Sequence, residues 1–591
     1  AHLEPKSTKS EDGKARRDSF TGVSPGNFVD DHEWFHTFAV TTSSNEQFSV
    51  SQFSPGDRVV LSREDGLMVS GRATILKVDI IPGNIITLVT PRRLRLENEA
   101  LLPGCANLTD LWRVDRDGAG HSMAARSRGN LIATLAKGVL PPISSGNPSN
   151  VNQKIIHIPS ETRRRIIEFD EPKFESFTSI KLPSKYRNDF ADFERDYLKI
   201  VSDLNEEQRN AVVKVVTCSD YALVLGLPGA GKSETLVCCI LVLALLEKRV
   251  LITSHTHNAV DNILKRLPSK GCENFVRVGD DDRKILKEVR KYRLGGKIWN
   301  ATSFESINDA SAKALIVGAT CYAMNHPFFA RKEFDIVLVD EAGQLTLPAI
   351  LGPLLLSKTF ALVGDHHQLP PLITSEVARR YGMEESLLAQ LCNRNPKFIC
   401  SLTCQYRMNE PLTMLPNALT YGGKLKPATA AIANRMLSIE EDFNAESSKK
   451  INWLASATSN QPNKAVIFLD TSSVKEQTRE SLGERPVNKG EQMIVREIAR
   501  NLIRRKVEAS KIAVLSPFNA QVDEIAELLK EDEKTSDVES LTIDKAQGRD
   551  FDAVIISFVK SNPRGDTTEL LEDERRLNVA ITRAKAKLIL I

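Results

Sequence analysis

The sequence has 591 residues, 41% hydrophobic and 26% charged, with a formal net charge of +3. The length exceeds what one hydrophobic core serves and implies three or four domains of ordinary globular composition. So small a net charge excludes a bulk electrostatic case for a nucleic-acid partner, which has to be argued from local patches.

Residues 1–45 are rich in Lys, Ser, Asp and Gly and read as a disordered tail or linker. Ala1 to Arg17 lacks the apolar core of a signal peptide. From Pro55 the pattern turns β-rich: Arg58 to Ser62, Arg72 to Asp79 and Asn84 to Thr90 predict a small barrel over 46–100, with a turn at Pro82-Gly83. Arg92, Arg93 and Arg95 follow it, either as a solvated edge or as a phosphate-contacting rim. Residues 101–198 read as a stalk or linker. It includes a helical stretch at Asn130–Leu135, a Pro/Ser/Asn-rich loop at Pro141–Asn152 and a helix over Asp189–Leu198. The nine cysteines form no C-x-x-C pair and suggest free thiols in a reducing compartment. Cys400 and Cys404 come closest to metal-ligand spacing, but their apolar flanks read as core.

A first α/β domain is expected over 199–395. Asn205 and Gln208 have capping-box spacing; alternatively, the Gln208 amide reads an adenine edge, since it can donate and accept together. Tyr221 to Leu225 is a buried strand, followed by Gly226-Leu-Pro228-Gly229-Ala230-Gly231-Lys232-Ser233 and a helix from Glu234. This strand–loop–helix is a phosphate cradle. Glycines let backbone N–H groups close on an anion, Lys232 reaches the β- and γ-phosphates, and Ser233 offers a hydroxyl to Mg²⁺. The helix continues through Leu246 as the longest apolar stretch, too short to span a bilayer. Arg249 to Thr253 is a strand leading into Ser254, His255, Thr256, His257 and Asn258, which suit phosphate-backbone contacts. Ala314 to Ala319 is another, ending in Thr320 and Tyr322. Phe334 to Val339 ends in Asp340-Glu341. An acidic pair there offers a hard oxygen for Mg²⁺ and a base for the attacking water. Phe360 to Val363 leads into Gly364-Asp-His-His-Gln368, with Gln368 placed to sense a γ-phosphate.

A second α/β domain is expected over 396–591, with short strands and helices alternating as in a parallel sheet. Its final apolar run ends at Leu590-Ile591 and reads as truncated. Arg407, in Gln405-Tyr406-Arg407-Met408, and Arg583, in Leu577-Asn-Val-Ala-Ile-Thr-Arg583, suit arginine fingers. Between them, Thr542 to Asp550 is a polar turn able to couple nucleotide to nucleic acid. Tyr406 is either an adenine-stacking ring or an ordinary interface aromatic.

In this order the motifs resemble those of a superfamily 1 helicase of the Upf-like, 5′-to-3′ kind, over roughly Leu204 to Ile591. Gly364–Pro371, Ser254–Asn262, Thr420–Leu425 and Arg575–Lys585 resemble most closely the helicase region of the eukaryotic DNA replication helicase–nuclease family. That resemblance implies two RecA-like domains, ATP and Mg²⁺, and translocation on single-stranded DNA. It places Gly548 and Asp550 at the nucleotide, Asp550 where many relatives have Glu reaching the ribose. Gly343 stands where that family usually has Ser. The resemblance further implies Okazaki-fragment processing, end resection, work with replication protein A, and a nuclear location with the mitochondrion second. The family's N-terminal nuclease and its iron–sulfur cysteines are not seen in residues 1–200, so this segment is expected to hold no cluster. The alternatives are an Upf-like RNA helicase and an ATP-switched clamp that does not unwind.

Overall fold

The computed structural model describes residues 2–5, 34–41, 58–63, 69–79, 85–90 and 112–116. It then describes 164–591 apart from short intervals, the longest being 441–451 and 561–571. Arg92, Arg93, Arg95 and the stretches 130–135 and 141–152 lie outside the described residues. The chain divides into two compact units, 1–128 and 129–591.

In the first unit, β1 (His2–Pro5), β2 (Trp34–Thr41), β3 (Arg58–Arg63), β4 (Val69–Asp79), β5 (Ile85–Thr90) and β6 (Trp112–Arg116) close in the order β1-β2-β5-β4-β3-β6. β1 and β2 lie in the stretch assigned to a disordered tail, and β6 in the one assigned to a stalk. Trp34-Phe-His-Thr-Phe-Ala-Val-Thr41 is aromatic and β-branched, a strand composition that its polar surroundings conceal when averaged over 45 residues.

The second unit is mixed α/β, built on parallel sheets. Before the first sheet come α1 (Phe190–Val201) and α2 (Glu206–Thr217). Then β7 (Tyr221–Gly226), α3 (Lys232–Leu245), β8 (Val250–Ser254), α4 (His257–Leu264), β9 (Phe275–Arg277), β10 (Ile316–Thr320), β11 (Phe334–Val339), β12 (Ser357–Gly364) and β13 (Ile399–Leu402) follow in sequence. The seven strands are parallel, ordered β13-β7-β12-β11-β8-β10-β9. Both faces are covered, which is why the strands read as unbroken apolar runs. Val237, Ile240 and Val242 of α3 are fully buried, each contributing about 1.5–3 kcal/mol. Burial of that size, more than the propensity of its β-branched residues, holds the helix. Because β13 pairs with β7, the first sheet extends past the boundary expected at 396.

The linking chain pairs β14 (Cys404–Gln405) with β15 (Lys426–Pro427). The second sheet follows, with β16 (Val466–Phe468), a small hairpin of β17 (Arg479–Ser481) and β18 (Arg485–Val487), α5 (Lys489–Arg504), β19 (Ile512–Ser516), α6 (Asn519–Lys530), β20 (Glu539–Thr542), β21 (Phe551–Ile556), α7 (Glu574–Ile581) and β22 (Ala584–Leu590). Its order is β16-β22-β21-β19-β20, again parallel.

Register fixes where chemistry can sit. In the first sheet Leu225 pairs with Gly364, Val339 with Thr253, and Ser254 with Thr320. The segments singled out by sequence therefore leave one carboxyl edge, where open α/β sheets bind ligands.

Candidate functional site

The phosphate loop joins β7 to α3. Gly229 and Gly231 have φ of +74° and +77°, a region that favours glycine. Space is equally tight. A Cβ on Gly231 would lie 2.5 Å from Gln208 Nε2, and one on Gly229 would lie 2.7 Å from Arg407 Cβ. Lys232 Nζ donates to the Gly226 carbonyl at 2.8 Å, inside the curve of the loop. Pro228 and Ala230 are buried in the loop. Ser233 opens the first turn of α3, whose N-terminal N–H groups carry the helix's positive dipole end. The Glu234 side chain is held by surface cations. It pairs with Arg266 at 3.3 Å and Lys270 at 3.2 Å.

Gln208 shows both bonds of the capping box with Asn205, and its Nε2 donates to the Ala230 carbonyl at 3.1 Å. Both ends of the amide are thus in use, fastening α2 to the loop. One N–H and one lone pair of the amide remain beyond these bonds.

At the end of β11, Asp340 is buried and its Oδ1 has no hydrogen-bond partner among the described residues. Burial and the neighbouring Glu341 charge raise its pKa, while Lys232 opposes the rise. A buried, unpartnered carboxylate oxygen on the same edge as a serine hydroxyl is a donor set that fits a hard divalent cation. Ser233 and Asp340 would hold it. Glu341 adopts φ +50°, the left-handed region that a non-glycine residue enters at a cost. After β12, Gln368 is buried and donates to Asp365 Oδ2 at 2.9 Å. In this arrangement the expected phosphate sensor is held by its own loop.

The second half meets this edge directly. The Tyr406 N–H donates to the Gly229 carbonyl at 2.9 Å, and its hydroxyl accepts from Asn205 Nδ2 at 2.9 Å. Arg407 is anchored through Nη1 to the Thr582 carbonyl at 2.9 Å, and its Nε lies 3.4 Å from Asp550. Arg583 is 1% exposed, with Nε on the Val579 carbonyl and Nη2 on Thr582 Oγ1, each at 2.8 Å. Burial and the nearby Arg407 charge pull its pKa down to about 9, while Glu341 works in the opposite sense. Both guanidiniums are thus within electrostatic reach of the Glu341 carboxylate. Asp550 is exposed and ion-paired. It sits between Arg407 and Lys585, the latter at 2.6 Å. Partial burial opposes its charge, but the two cations outweigh that and lower its pKa. Gly548, at φ +78°, makes the preceding turn.

The proposed nucleic-acid residues divide. Ser254 and Thr320 are buried at their strand ends, and Ser254 Oγ has no partner among the described residues. Thr256 caps α4 through Ala259 N at 3.2 Å, leaving Asn258 exposed beside it. His255 is half-buried, which lowers its pKa, and stands edge-on to Tyr322 with ring centroids 5.7 Å apart. His257 turns inward, with its Nδ1 3.0 Å from Nη2 of the fully buried Arg277. Arg277 is itself paired with Asp261 at 2.6 Å. A buried guanidinium needs acceptors, and His257 supplies one through Nδ1. His255 also lines a cleft of about 710 Å³ between the halves, with Gln344 and Pro371 on one side and Gln547, Arg575 and Arg576 on the other.

Asp365, Lys585 and Glu207 stand inside the motifs read from the sequence, with no role assigned there to any of them. The Glu207 carboxylate accepts from Thr403 N at 2.6 Å, Thr403 Oγ1 at 2.5 Å and Cys404 N at 3.1 Å. An acidic residue in the first turn of a helix was the available signal, but helix capping explains it equally well.

Two family models, each described as an AAA domain, match this unit, one over residues 203–305 and 297–376 and the other over 383–591. The DNA replication ATP-dependent helicase/nuclease DNA2 of Mus musculus is 34% identical over 578 residues, covering 96% of this chain and 50% of the relative. The DNA replication ATP-dependent helicase/nuclease JHS1 of Arabidopsis thaliana is 34% identical over 540 residues, covering 91% of this chain and 37% of the relative. The chain therefore spans half or less of the length of these curated relatives.

Proposed function

Because the chain belongs to the AAA-domain helicase family that includes the DNA replication ATP-dependent helicase/nucleases, we propose that it is an ATP-driven DNA helicase. In this reading ATP is hydrolysed between two RecA-like halves, and their closing and opening move the protein 5′ to 3′ along single-stranded DNA. One observation carries it. The phosphate loop and acidic pair leave the first sheet, Arg407 follows β14 in the linking chain and Arg583 leads into β22 of the second sheet, and Arg407 Cβ would touch a Cβ at Gly229.

Lys232 exchanges its Gly226 carbonyl for the β- and γ-phosphates, and the loop N–H groups hold the remaining oxygens. Glu341 orients the attacking water. Arg407 and Arg583 neutralise charge developing on the transferring phosphoryl group, so hydrolysis waits for both halves. Asp550 and Lys585 keep Arg407 aimed. Tyr406 offers a ring to adenine while its hydroxyl stays on Asn205. Mg²⁺ held by Ser233 and Asp340 would supply neutralisation of the β- and γ-oxygens. His255, Asn258 and Tyr322 contact DNA backbone and bases, with His255 on the wall of the cleft, and the buried Ser254 and Thr320 support them from the strand ends. In the longer protein this motor is accompanied by an N-terminal nuclease. It acts with replication protein A on Okazaki fragments and resected ends, in the nucleus and secondarily in mitochondria.

The test is steady-state ATP hydrolysis with single-stranded DNA or matched RNA, with Lys232→Ala as blank, followed by strand separation on 5′- and 3′-tailed duplexes. Stimulation by DNA and unwinding from the 5′ tail are expected. Stimulation by RNA alone would move the protein to the RNA branch, and hydrolysis by Lys232→Ala at the wild-type rate would overturn the site.

A further inference from the structure

Five contacts form one continuous hydrogen-bonded chain through the buried interface between the two halves. Gln368 Nε2 donates to Asp365 Oδ2 at 2.9 Å, and the Tyr421 hydroxyl donates to the same oxygen at 2.7 Å. Asn578 Nδ2 donates to the Tyr421 hydroxyl at 2.8 Å. Thr582 Oγ1 donates to the Asn578 carbonyl at 2.8 Å, and Arg583 Nη2 donates to Thr582 Oγ1 at 2.8 Å. Asn578 also bonds the His367 carbonyl at 2.9 Å. Every one of these residues is buried, at 5% exposure or less. Asp365 and Gln368 follow β12 of the first sheet. Tyr421 packs in the core of the second half with Met408, Leu412 and Val554.

We propose that Tyr421 is the positioning residue that couples Gln368 on the phosphate side to the α7–Arg583 segment on the other. This inference rests on the helicase reading above. The chain has two arrangements. In one, Asp365 Oδ2 is shared between Gln368 and Tyr421. When the Gln368 amide turns to a γ-phosphate, Tyr421 is left as the side-chain donor to that oxygen among the described residues, and its bond strengthens in a low-dielectric interior. Tyr421 then draws on Asn578, and Asn578 and Thr582 carry the adjustment to Arg583. Thr582 also accepts from Arg407 through its carbonyl, so both guanidiniums feel one residue. A coupling of this kind is a free energy between two sites and has to be measured as one.

The decisive variant is Tyr421→Phe, which keeps the ring and removes the hydroxyl. Its readout is the ratio of ATP turnover with saturating single-stranded DNA to turnover without it, alongside KM for ATP and Tm. We expect the ratio to fall about tenfold while KM for ATP changes less than about threefold, so that the stimulation of turnover is lost and ATP binding is not. Asn578→Ala attacks the chain from its far end and should lower the ratio similarly if Tyr421→Phe does not fold. The double variant should then lose no more than either single change. A purely structural role would lower Tm and both rates together, leaving the ratio at its wild-type value, and that result overturns the proposal. A wild-type protein that no nucleic acid stimulates would sink the helicase reading and this coupling with it. A stimulated wild type with an equally stimulated Tyr421→Phe would sink the coupling alone.

Discussion

Gly229 is where a single methyl group would tell most about the closed arrangement. An alanine there meets two obstacles, the positive φ and Arg407 Cβ at 2.7 Å. Gly271 has a φ of +82° with nothing within 4 Å of its Cβ position, so alanine there pays for backbone strain alone. Gly271→Ala should cost about 1–2 kcal/mol in urea unfolding. Gly229→Ala should cost more than that, or else push the halves apart, cost about as much as Gly271→Ala and cut ATP turnover. Equal stability losses with full turnover in both would mean that Arg407 does not approach the loop as described. Arg407→Ala is the complementary change. Removing an arginine finger costs about 10³-fold or more in turnover, and steady-state kinetics should show it mainly in kcat. Arg583→Ala should add a stability loss that Arg407→Ala lacks, because its hydrogen bonds to Val579 and Thr582 are fully buried.

At the scale of the element, α2 shows how a short helix sets the site. Its N-terminus carries the Asn205–Gln208 box, Gln208 reaches the loop, and Glu207 ties it to the backbone where β13 ends. Burial disfavours the charged Glu207 carboxylate, but the bonds from Thr403 and Cys404 outweigh it and hold its pKa below the ordinary value. The sign follows from linkage: a depressed carboxyl contributes stability above its unfolded pKa and loses it as pH falls through the folded pKa. Glu207→Gln should therefore be less stable than wild type at pH 7 and converge with it in acid, below about pH 4, as followed by urea midpoints across pH. A constant difference at every pH would assign the effect to packing. The elements themselves were legible because a parallel sheet buried on both faces writes continuous apolar runs, and the phosphate loop has a local spacing. What was not legible spans long separations. Asp550 pairs with Arg407 across 143 positions and Tyr421 meets Asn578 across 157. The residue types allow those partners, but only the packing of two sheets selects them. Gln208 and His257 illustrate a related ambiguity, since a polar side chain at a strand or helix end serves a ligand or a neighbour equally well until the neighbour is seen.

For the whole molecule, a net charge of +3 over 591 residues generates little long-range field, so single-stranded DNA should be held by contacts in the cleft and not gathered from a distance. Salt is the measurement that separates these cases. Affinity should still fall with ionic strength, by about 0.7 in the log–log slope for each phosphate neutralised on a single strand. The cleft's arginines make unequal contributions. Arg576 is pinned between Asp544 at 3.3 Å and Asp573 at 3.2 Å, so much of its charge is already spent within the protein. Arg575 is exposed on the same wall. Arg575→Ala should weaken binding uniformly across sequences and reduce the slope by about one phosphate contact, whereas Arg576→Ala should change the slope less. Titrations of a fluorescent oligonucleotide at several salt concentrations would show it. A wild-type slope near zero would remove the cleft as a backbone-binding channel. A larger loss of slope for Arg576→Ala than for Arg575→Ala would mean that nucleic acid breaks the Asp544 and Asp573 pairs on binding, and so would place the turn at Thr542–Asp550 in motion when the strand is gripped.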